Sequence, residues 1–321
     1  MDYVSNLLGI RRKSHNSIAF LDVPVNTDVE FFIDPTLIER LPYDWCKSAQ
    51  AKIDDFFQNL RQAARVDDNE RLRYLLSCGQ EINALRLGYS QNKPCGRGAS
   101  PQSLFDIFVQ AKSIEILKLD LATRLQDHVI FIENFDKDRL SDLLSHIILS
   151  DIASFTYKQC KKYKYDTSEE VILGKGWDAI KHSWMNIKGY PIWYGESKIL
   201  LLPKFIICKN MVVSVHNYIW KQILKEIQDD SFTKYPDLCR KVQDKRGRSK
   251  FKEPRKKDLY DHFIRKQGMS EKDFATSYTM KHKDSLEKFG AKHITDKEID
   301  KTVLSDADLD EIVFGNVRHK H

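Results

Sequence analysis

Carboxylates and a lysine at three places in the chain are the residues best suited to hydrolytic chemistry. Glu133 follows one apolar run, Asp142 comes shortly after it, and Glu196-Ser197-Lys198 opens another apolar run. Mg²⁺ prefers hard carboxylate oxygens, and a nearby lysine can stabilise charge developing on a phosphate or position the attacking water. The sequence therefore predicts Asp142, Glu196 and Lys198 as catalytic residues, with Glu133 and Asp142 as ligands of a bound Mg²⁺.

These residues resemble a degenerate form of the PD-(D/E)xK nuclease pattern, in which Glu196-Ser-Lys198 would supply the E-x-K pair. The resemblance implies an α/β core with its acids gathered at strand ends, and metal-dependent cleavage of a phosphodiester. The alternative is that these side chains are solvated charges at the end of a strand.

A second chemical hypothesis rests on Arg139 and His146, which share one side of a predicted helix with Asp142 between them. Their spacing resembles the Arg-x(4 to 6)-His pattern of HEPN-type ribonucleases, which implies metal-free attack on an RNA phosphate. A carboxylate between the two can orient the imidazole or raise its pKa. The alternative is a solvated helix face with an Arg-Asp salt bridge.

A dense basic tract spans residues 240–257, where ten Lys and Arg face two acids, while the whole protein nets +6. Such a cluster attracts a polyanion, most often nucleic acid, because neutralised phosphates release their counterions. The alternative is a solvated, mobile linker. The residues predicted to bind nucleic acid are Lys245, Arg246, Arg248, Lys250, Lys252, Arg255, Lys256 and Lys257.

Hydrophobic patterning predicts an α/β or α+β fold, with a mixed sheet flanked by helices and a basic, mainly helical C-terminal extension. We expect strands at 18–23, 29–33, 128–133 and in 198–208, and helices at 44–63, 71–77, 100–113, 139–162 and 215–227. Asp44 is a plausible N-cap of the first long helix, and Asp136 or Asp138 of the helix from 139. Residues 88–98 form a glycine-rich loop without phosphate-loop spacing.

The chain divides into a predicted core domain at 1–230 and a predicted extension at 231–321 that ends in an acidic tail. Between Asp296 and Glu311 the tail carries seven acids and two lysines, so it could pair with the basic tract and mask it. Six scattered cysteines without a C-x-x-C pair predict free thiols rather than a zinc site or disulfides. No apolar run is long enough to cross a membrane, so we expect a cytoplasmic protein that makes no membrane contact.

Aromatic residues between 177 and 194 support a third, non-enzymatic hypothesis, in which the protein is a module that binds nucleic acid or a protein partner. In a nucleic-acid-binding module, these rings would stack on bases while the basic tract follows the backbone. The alternative is that the tryptophans belong to the core, because aromatic side chains bury large areas.

Three short phrases, at 31–35, 138–142 and 198–204, resemble a family of uncharacterised prokaryotic proteins associated with mobile elements and antiviral defence. The resemblance covers about the first 230 residues. It implies a genome-conflict setting and draws attention to Asp34, Asp142 and Lys204, without supplying a reaction. Asp34 could equally end a strand, and Lys204 could be a surface charge after a proline turn.

Overall fold

A computed structural model describes residues 2–11, 14–88, 101–110, 122–244 and 247–315. The α-helices are α1 Val4–Leu7, α2 Pro35–Arg40, α3 Asp44–Arg65, α4 Asn69–Leu75, α5 Pro101–Gln110, α6 Lys137–Ile147, α7 Leu149–Lys162, α8 Val215–Tyr218, α9 Leu224–Asp229, α10 Ser231–Lys234, α11 Lys256–Phe263, α12 Glu271–Lys281, α13 Ser285–His293, α14 Asp296–Thr302 and α15 Asp306–Asp310. Short 3₁₀ turns occupy His15–Ser17, Asn83–Leu85, Leu125–Ile130, Lys204–Ile206, Pro236–Leu238 and Arg265–Gln267, and π turns occupy Ile219–Ile223 and Glu311–Gly315.

The strands are β1 Phe32–Ile33, β2 Val171–Asp178, β3 Ser183–Gly189, β4 Ile192–Tyr194, β5 Ser197–Ile199, β6 Ile207–Cys208, β7 Arg240–Gln243 and β8 Ser249–Lys252. They pair antiparallel as β1–β6, β2–β3, β4–β5 and β7–β8. The predicted α+β class is confirmed. Within the described ranges, however, the strands form four small two-stranded sheets instead of one mixed sheet.

Helix α3 is the central support of the core, and its prediction is confirmed. Ala49, Ile53, Phe56 and Leu60 recur at helical spacing and are buried. Asp44 is the first helical residue, and the N-cap is Tyr43. The buried apolar side chains of the described residues form one hydrophobic cluster, and these four side chains of α3 belong to it.

Two predicted strands are wrong, and a third is only partly formed. Residues 18–23 contain only an isolated bridge at Phe20, and 29–33 form a strand only at Phe32–Ile33. The apolar run at 128–133 belongs to the buried 3₁₀ turn Leu125–Ile130 and the turn after it. A short, continuous apolar run fits a buried helical turn as well as a strand, so periodicity could not separate them.

Two other regions also differ from expectation. The long helix predicted at 139–162 is two helices, α6 and α7, separated at Ile148; its predicted N-cap Asp136 is confirmed. The aromatic region at 177–194 is mostly strands β2 to β4. Trp177 and Trp184 are 1% and 7% exposed, so these two tryptophans are core residues and not a surface for stacking bases.

The C-terminal helices pack on the rest of the molecule. Tyr218 hydrogen-bonds Thr279 at 2.8 Å, and Lys272 donates to the carbonyl oxygens of Ile132 and Phe135 at 2.6 and 2.9 Å. Packing therefore continues across residue 230. The division of the chain into two domains stays a prediction. Among the described helices, none has the length and apolar character needed to cross a membrane.

Candidate active site

A polar cleft of about 500 Å³ lies where residues 80–86, the β4–β5 turn and helix α6 meet. Its wall includes Glu81, Arg86, His146, Glu196 and Lys198. Glu196 and Lys198, selected from the sequence alone, therefore lie beside acidic and basic side chains from distant parts of the chain.

Backbone hydrogen bonds fix the segment at 80–88 that forms one wall. Its Ala84 carbonyl accepts from Leu200 N–H at 2.8 Å, and its Arg86 carbonyl accepts from Val29 N–H at 3.0 Å. Arg86 itself adopts a left-handed conformation, with φ of 57°. A non-glycine residue in this region is strained by about 1–3 kcal/mol, and such strain often occurs at functional sites.

Asp138 and Asp142 of α6 lie near two carboxylates from other segments, Asp28 and Glu81, and their charges influence one another. Burial, together with the charges of Asp138 and Glu81, raises the pKa of Asp142 to about 8. Burial, together with Asp28 and Asp138, raises the pKa of Glu81 to about 7. Within the described ranges, none of the four side chains makes an ion pair or a hydrogen bond, and Oε1 of Glu81 and both carboxylate oxygens of Asp28 are buried.

Two cations line the cleft together with Glu81. Arg86 is 2% exposed, and its Nε has no hydrogen-bond partner. Lys198 donates from Nζ to the Ile172 carbonyl at 2.8 Å. Cations beside unpaired carboxylates suit a phosphodiester, because they can bind its oxygens while the carboxylates hold a cation or accept a proton.

The predicted metal ligands do not come together. Glu133 is exposed and accepts a hydrogen bond from Ser270 at 2.8 Å, and its charge has no part in raising the pKa of Asp142. Across the described parts of the chain, no three His, Cys, Asp or Glu side chains are close enough together to hold a metal ion. Glu81 lines the cleft together with Glu196, in the place that the sequence assigned to Glu133.

The geometry also argues against the HEPN-type hypothesis. His146 is 8% exposed, with Nδ1 2.8 Å from the Lys175 carbonyl and Nε2 2.9 Å from the Gln80 carbonyl. Arg139 donates to the Asn134 carbonyl at 2.8 Å. Because both ring nitrogens are occupied by backbone oxygens, His146 positions the cleft wall and is not free to move a substrate proton.

The basic tract is a hairpin, β7–β8, followed by the start of α11, and not a mobile linker. Arg248 pairs with Asp244 at 3.0 Å, Arg255 pairs with Asp258 at 2.8 Å, and Lys256 donates to the Trp220 carbonyl. Lys250, Lys252 and Lys257 are exposed and, within the described ranges, have no ion-pair partner. The predicted contacts Lys245 and Arg246 lie outside the described residues, as does most of the loop at 88–98.

The acidic tail does not mask this hairpin. Instead, Asp296 pairs with Arg40 at 2.9 Å, and Asp310 accepts from the buried His15 at 2.6 Å. A third contact, between Asp306 and Lys204, also fixes the tail to the part of the chain before residue 230. The predicted autoinhibitory pairing is therefore wrong for the described residues, because the tail's charges are used in docking helices α14 and α15.

The two remaining residues of interest have structural roles. Asp34 is fully buried, and its two carboxylate oxygens accept the N–H groups of Thr36 and Val212, each at 2.8 Å. It thereby caps α2 and holds the chain after β6. Lys204 donates to the His15 carbonyl at 2.7 Å as well as pairing with the tail.

Sequence reasoning missed Asp28, Glu81, Arg86 and Asp138. One signal was present: Asp138 and Asp142 are like charges four residues apart on one helix, an arrangement that destabilises a helix and so calls for another explanation. No comparable pattern connects residues 28, 81 and 86 to this helix, because only the tertiary fold brings them near it.

Residues 9–214 match the profile of a family described as a domain of unknown function (DUF8370), and this range is more than half of the chain. The protein belongs to the DUF8370 family. No curated protein and no solved structure matches it. The carboxylates, Arg86 and Lys198 all lie inside the DUF8370 range, whereas the basic hairpin and the acidic tail lie after it.

Proposed function

We propose that this DUF8370 protein is a nucleic-acid-processing enzyme, a metal-dependent nuclease whose reaction centre is the cleft of Glu81, Asp142 and Lys198. One observation carries the proposal: Glu81 lines the cleft with Arg86 and Lys198, and burial and the charges of nearby unpaired carboxylates, which include that of Asp142 behind it, raise the pKa values of this group. Repulsion of this kind is unfavourable in a structure unless a proton or a cation relieves it, and clustered, perturbed carboxylates are characteristic of functional sites.

The ligands of a divalent cation would be Glu81, Asp142 and one of Asp28 or Asp138. The buried, partnerless oxygens of Glu81 and Asp28 fit this assignment, although side-chain rotation is needed because no three groups in the described ranges are at ligand spacing. Mg²⁺ would supply charge stabilisation at the scissile phosphate. Lys198 and Arg86 would hold the phosphate oxygens.

The β7–β8 hairpin supports a nucleic-acid substrate, because Lys250 and Lys252 are exposed and unpaired in the described structure. A setting in antiviral defence and a cytoplasmic location remain predictions. Binding of nucleic acid without turnover is the alternative, and it would rest on the hairpin alone.

The test compares wild type with Asp142→Asn and Glu81→Gln on labelled DNA and RNA, with and without Mg²⁺. Each amide keeps the shape of the side chain and removes its charge, so we expect cleavage to fall by about 100-fold or more. Glu133→Gln is the matched control, and its rate should equal that of wild type. Equal cleavage by wild type and both cleft variants would remove this cleft from the mechanism, and binding without cleavage in any divalent metal would favour the non-enzymatic alternative.

A further inference from the structure

Two exposed aromatic rings line a second, basic cleft at the foot of the hairpin. Phe232 on α10 is 51% exposed and Phe251 on β8 is 64% exposed. Together with Gln228, two cations (Arg240 and Lys252) and one acid (Glu253), they line a cleft of about 310 Å³. This cleft combines apolar ring faces with positive charge, outside the carboxylate site and outside the DUF8370 range.

The foot of the hairpin is held in place. Arg240 donates from Nε to the Glu253 carbonyl at 3.0 Å, and Gln228 donates to the Pro254 carbonyl at 2.7 Å. Register pairs Lys241 with Phe251 and Arg240 with Lys252 across the two strands. The rings and cations of this cleft therefore sit on a fixed scaffold.

Folding does not account for these two rings. In the described structure neither makes a ring contact, and all four residues of β8 are exposed. Leaving such apolar area in water is unfavourable, by about 25 cal/mol per Å². Large rings that add nothing to the core, on a strand of exposed lysines, point to contact with another molecule.

The charge around the rings indicates which kind of molecule would bind there. Lys241, Lys250 and Lys252 are exposed, and no ion pair engages them within the described ranges. Apolar rings alone would suit many partners, but rings among unpaired lysines suit a chain of bases joined by phosphates. A duplex keeps its base faces stacked inside the helix, so only an unpaired strand can offer them to phenylalanine.

We propose that this cleft binds single-stranded nucleic acid, with bases stacked on Phe232 and Phe251 and the phosphate backbone following Lys241, Lys250 and Lys252. This inference rests on the proposed function, whose nucleic-acid substrate it narrows to a single strand. The C-terminal region would then recognise the strand, and cleavage would take place in the cleft of Glu81 and Lys198.

The experiment measures binding of the full chain to a labelled oligo(dT) of about 12 nucleotides and to a duplex of equal length, in EDTA and ~50 mM salt. We expect Phe251→Ala and Phe232→Ala each to weaken single-strand binding by about fivefold or more, because one stacked base contributes about 1–3 kcal/mol. Phe251→Trp should keep wild-type affinity, since it retains a ring. Ile180→Ala, a truncation of a 90% exposed side chain in the β2–β3 turn, is the control and should change nothing.

Unchanged single-strand affinity in both alanine variants would overturn the inference, as would equal losses for single strand and duplex. A Phe251-dependent affinity for vesicles of phosphatidylcholine and phosphatidylserine in equal parts, without oligonucleotide binding, would also overturn it and assign the surface to a membrane. EDTA prevents metal-dependent cleavage, so the outcome is independent of catalysis. If the alanine variants lose single-strand affinity but the wild-type protein cleaves no nucleic acid in divalent metal, this inference stands and the nuclease proposal fails.

Discussion

The carboxylate cleft and the basic hairpin use charge in opposite ways. At the cleft, backbone hydrogen bonds fix the segment that carries Glu81 and Arg86, and both Glu81 and Asp142 are half-buried among other carboxylates. On the hairpin, Lys250 and Lys252 extend into solvent from a small sheet with no buried face. Confined carboxylates have perturbed pKa values and suit chemistry, whereas exposed lysines without partners suit binding to a polyanion.

Truncating a core tryptophan of the DUF8370 range and an exposed phenylalanine of the hairpin should give the largest difference in stability. Trp177 on β2 is 1% exposed and donates to Asp55 at 2.7 Å, so Trp177→Ala should lower the free energy of unfolding by about 3–5 kcal/mol. Phe251→Ala should change it by less than about 0.5 kcal/mol, because the ring is already in water. Urea denaturation followed by circular dichroism measures both values. A comparable loss in the two variants would mean that the hairpin is part of the folding core.

Removing charge from the hairpin should have a smaller effect, and on binding only. The triple variant Lys241→Ala, Lys250→Ala, Lys252→Ala should weaken single-strand binding on the order of tenfold and reduce the slope of log affinity against log salt by about 2. The matched control replaces three exposed lysines of the DUF8370 range, Lys158, Lys181 and Lys188, and so makes the same change in net charge. Identical slopes for the two triple variants would show that net charge, and not the hairpin, governs binding.

The pH dependence of stability gives the finest comparison. Burial and neighbouring carboxylates raise the pKa of Asp142 to about 8, while an unfolded Asp titrates near 4. Between these values the folded protein holds a proton that the unfolded chain has released, so this group makes the free energy of unfolding fall as pH rises. Asp142→Asn removes that dependence, and its stability relative to wild type should increase from pH 4 to pH 8.

Denaturation midpoints of the two proteins across this range measure the effect. Lys250→Ala, a change to an exposed side chain, should give a curve parallel to that of wild type. A parallel curve for Asp142→Asn would mean that Asp142 is not confined among the other carboxylates.

Sequence patterning predicted those helices in which apolar residues recur along one face over several turns. The helix at 44–63 was recognised because its apolar residues recur along one side, and the hydrophobic effect buries that side in any compact fold. Short apolar runs were ambiguous, and the predicted strand at 128–133 became part of a 3₁₀ turn. The basic tract was recognised by composition, but composition could not distinguish a linker from the β7–β8 hairpin.

For the candidate site, too, some features followed from the sequence and others only from the tertiary structure. The amino-acid sequence by itself determined which residues carry charge, which helix holds Asp142 and His146 on one face, and where the positive charge is concentrated, because these depend on residue type and local spacing. Only the tertiary structure decided that Glu81 and Arg86 join Asp142 and Lys198, that Glu133 lies elsewhere, and that the acidic tail docks on the N-terminal half. These arrangements arise from hydrogen bonds and packing between segments far apart in the chain, and no local pattern encodes which segments will meet.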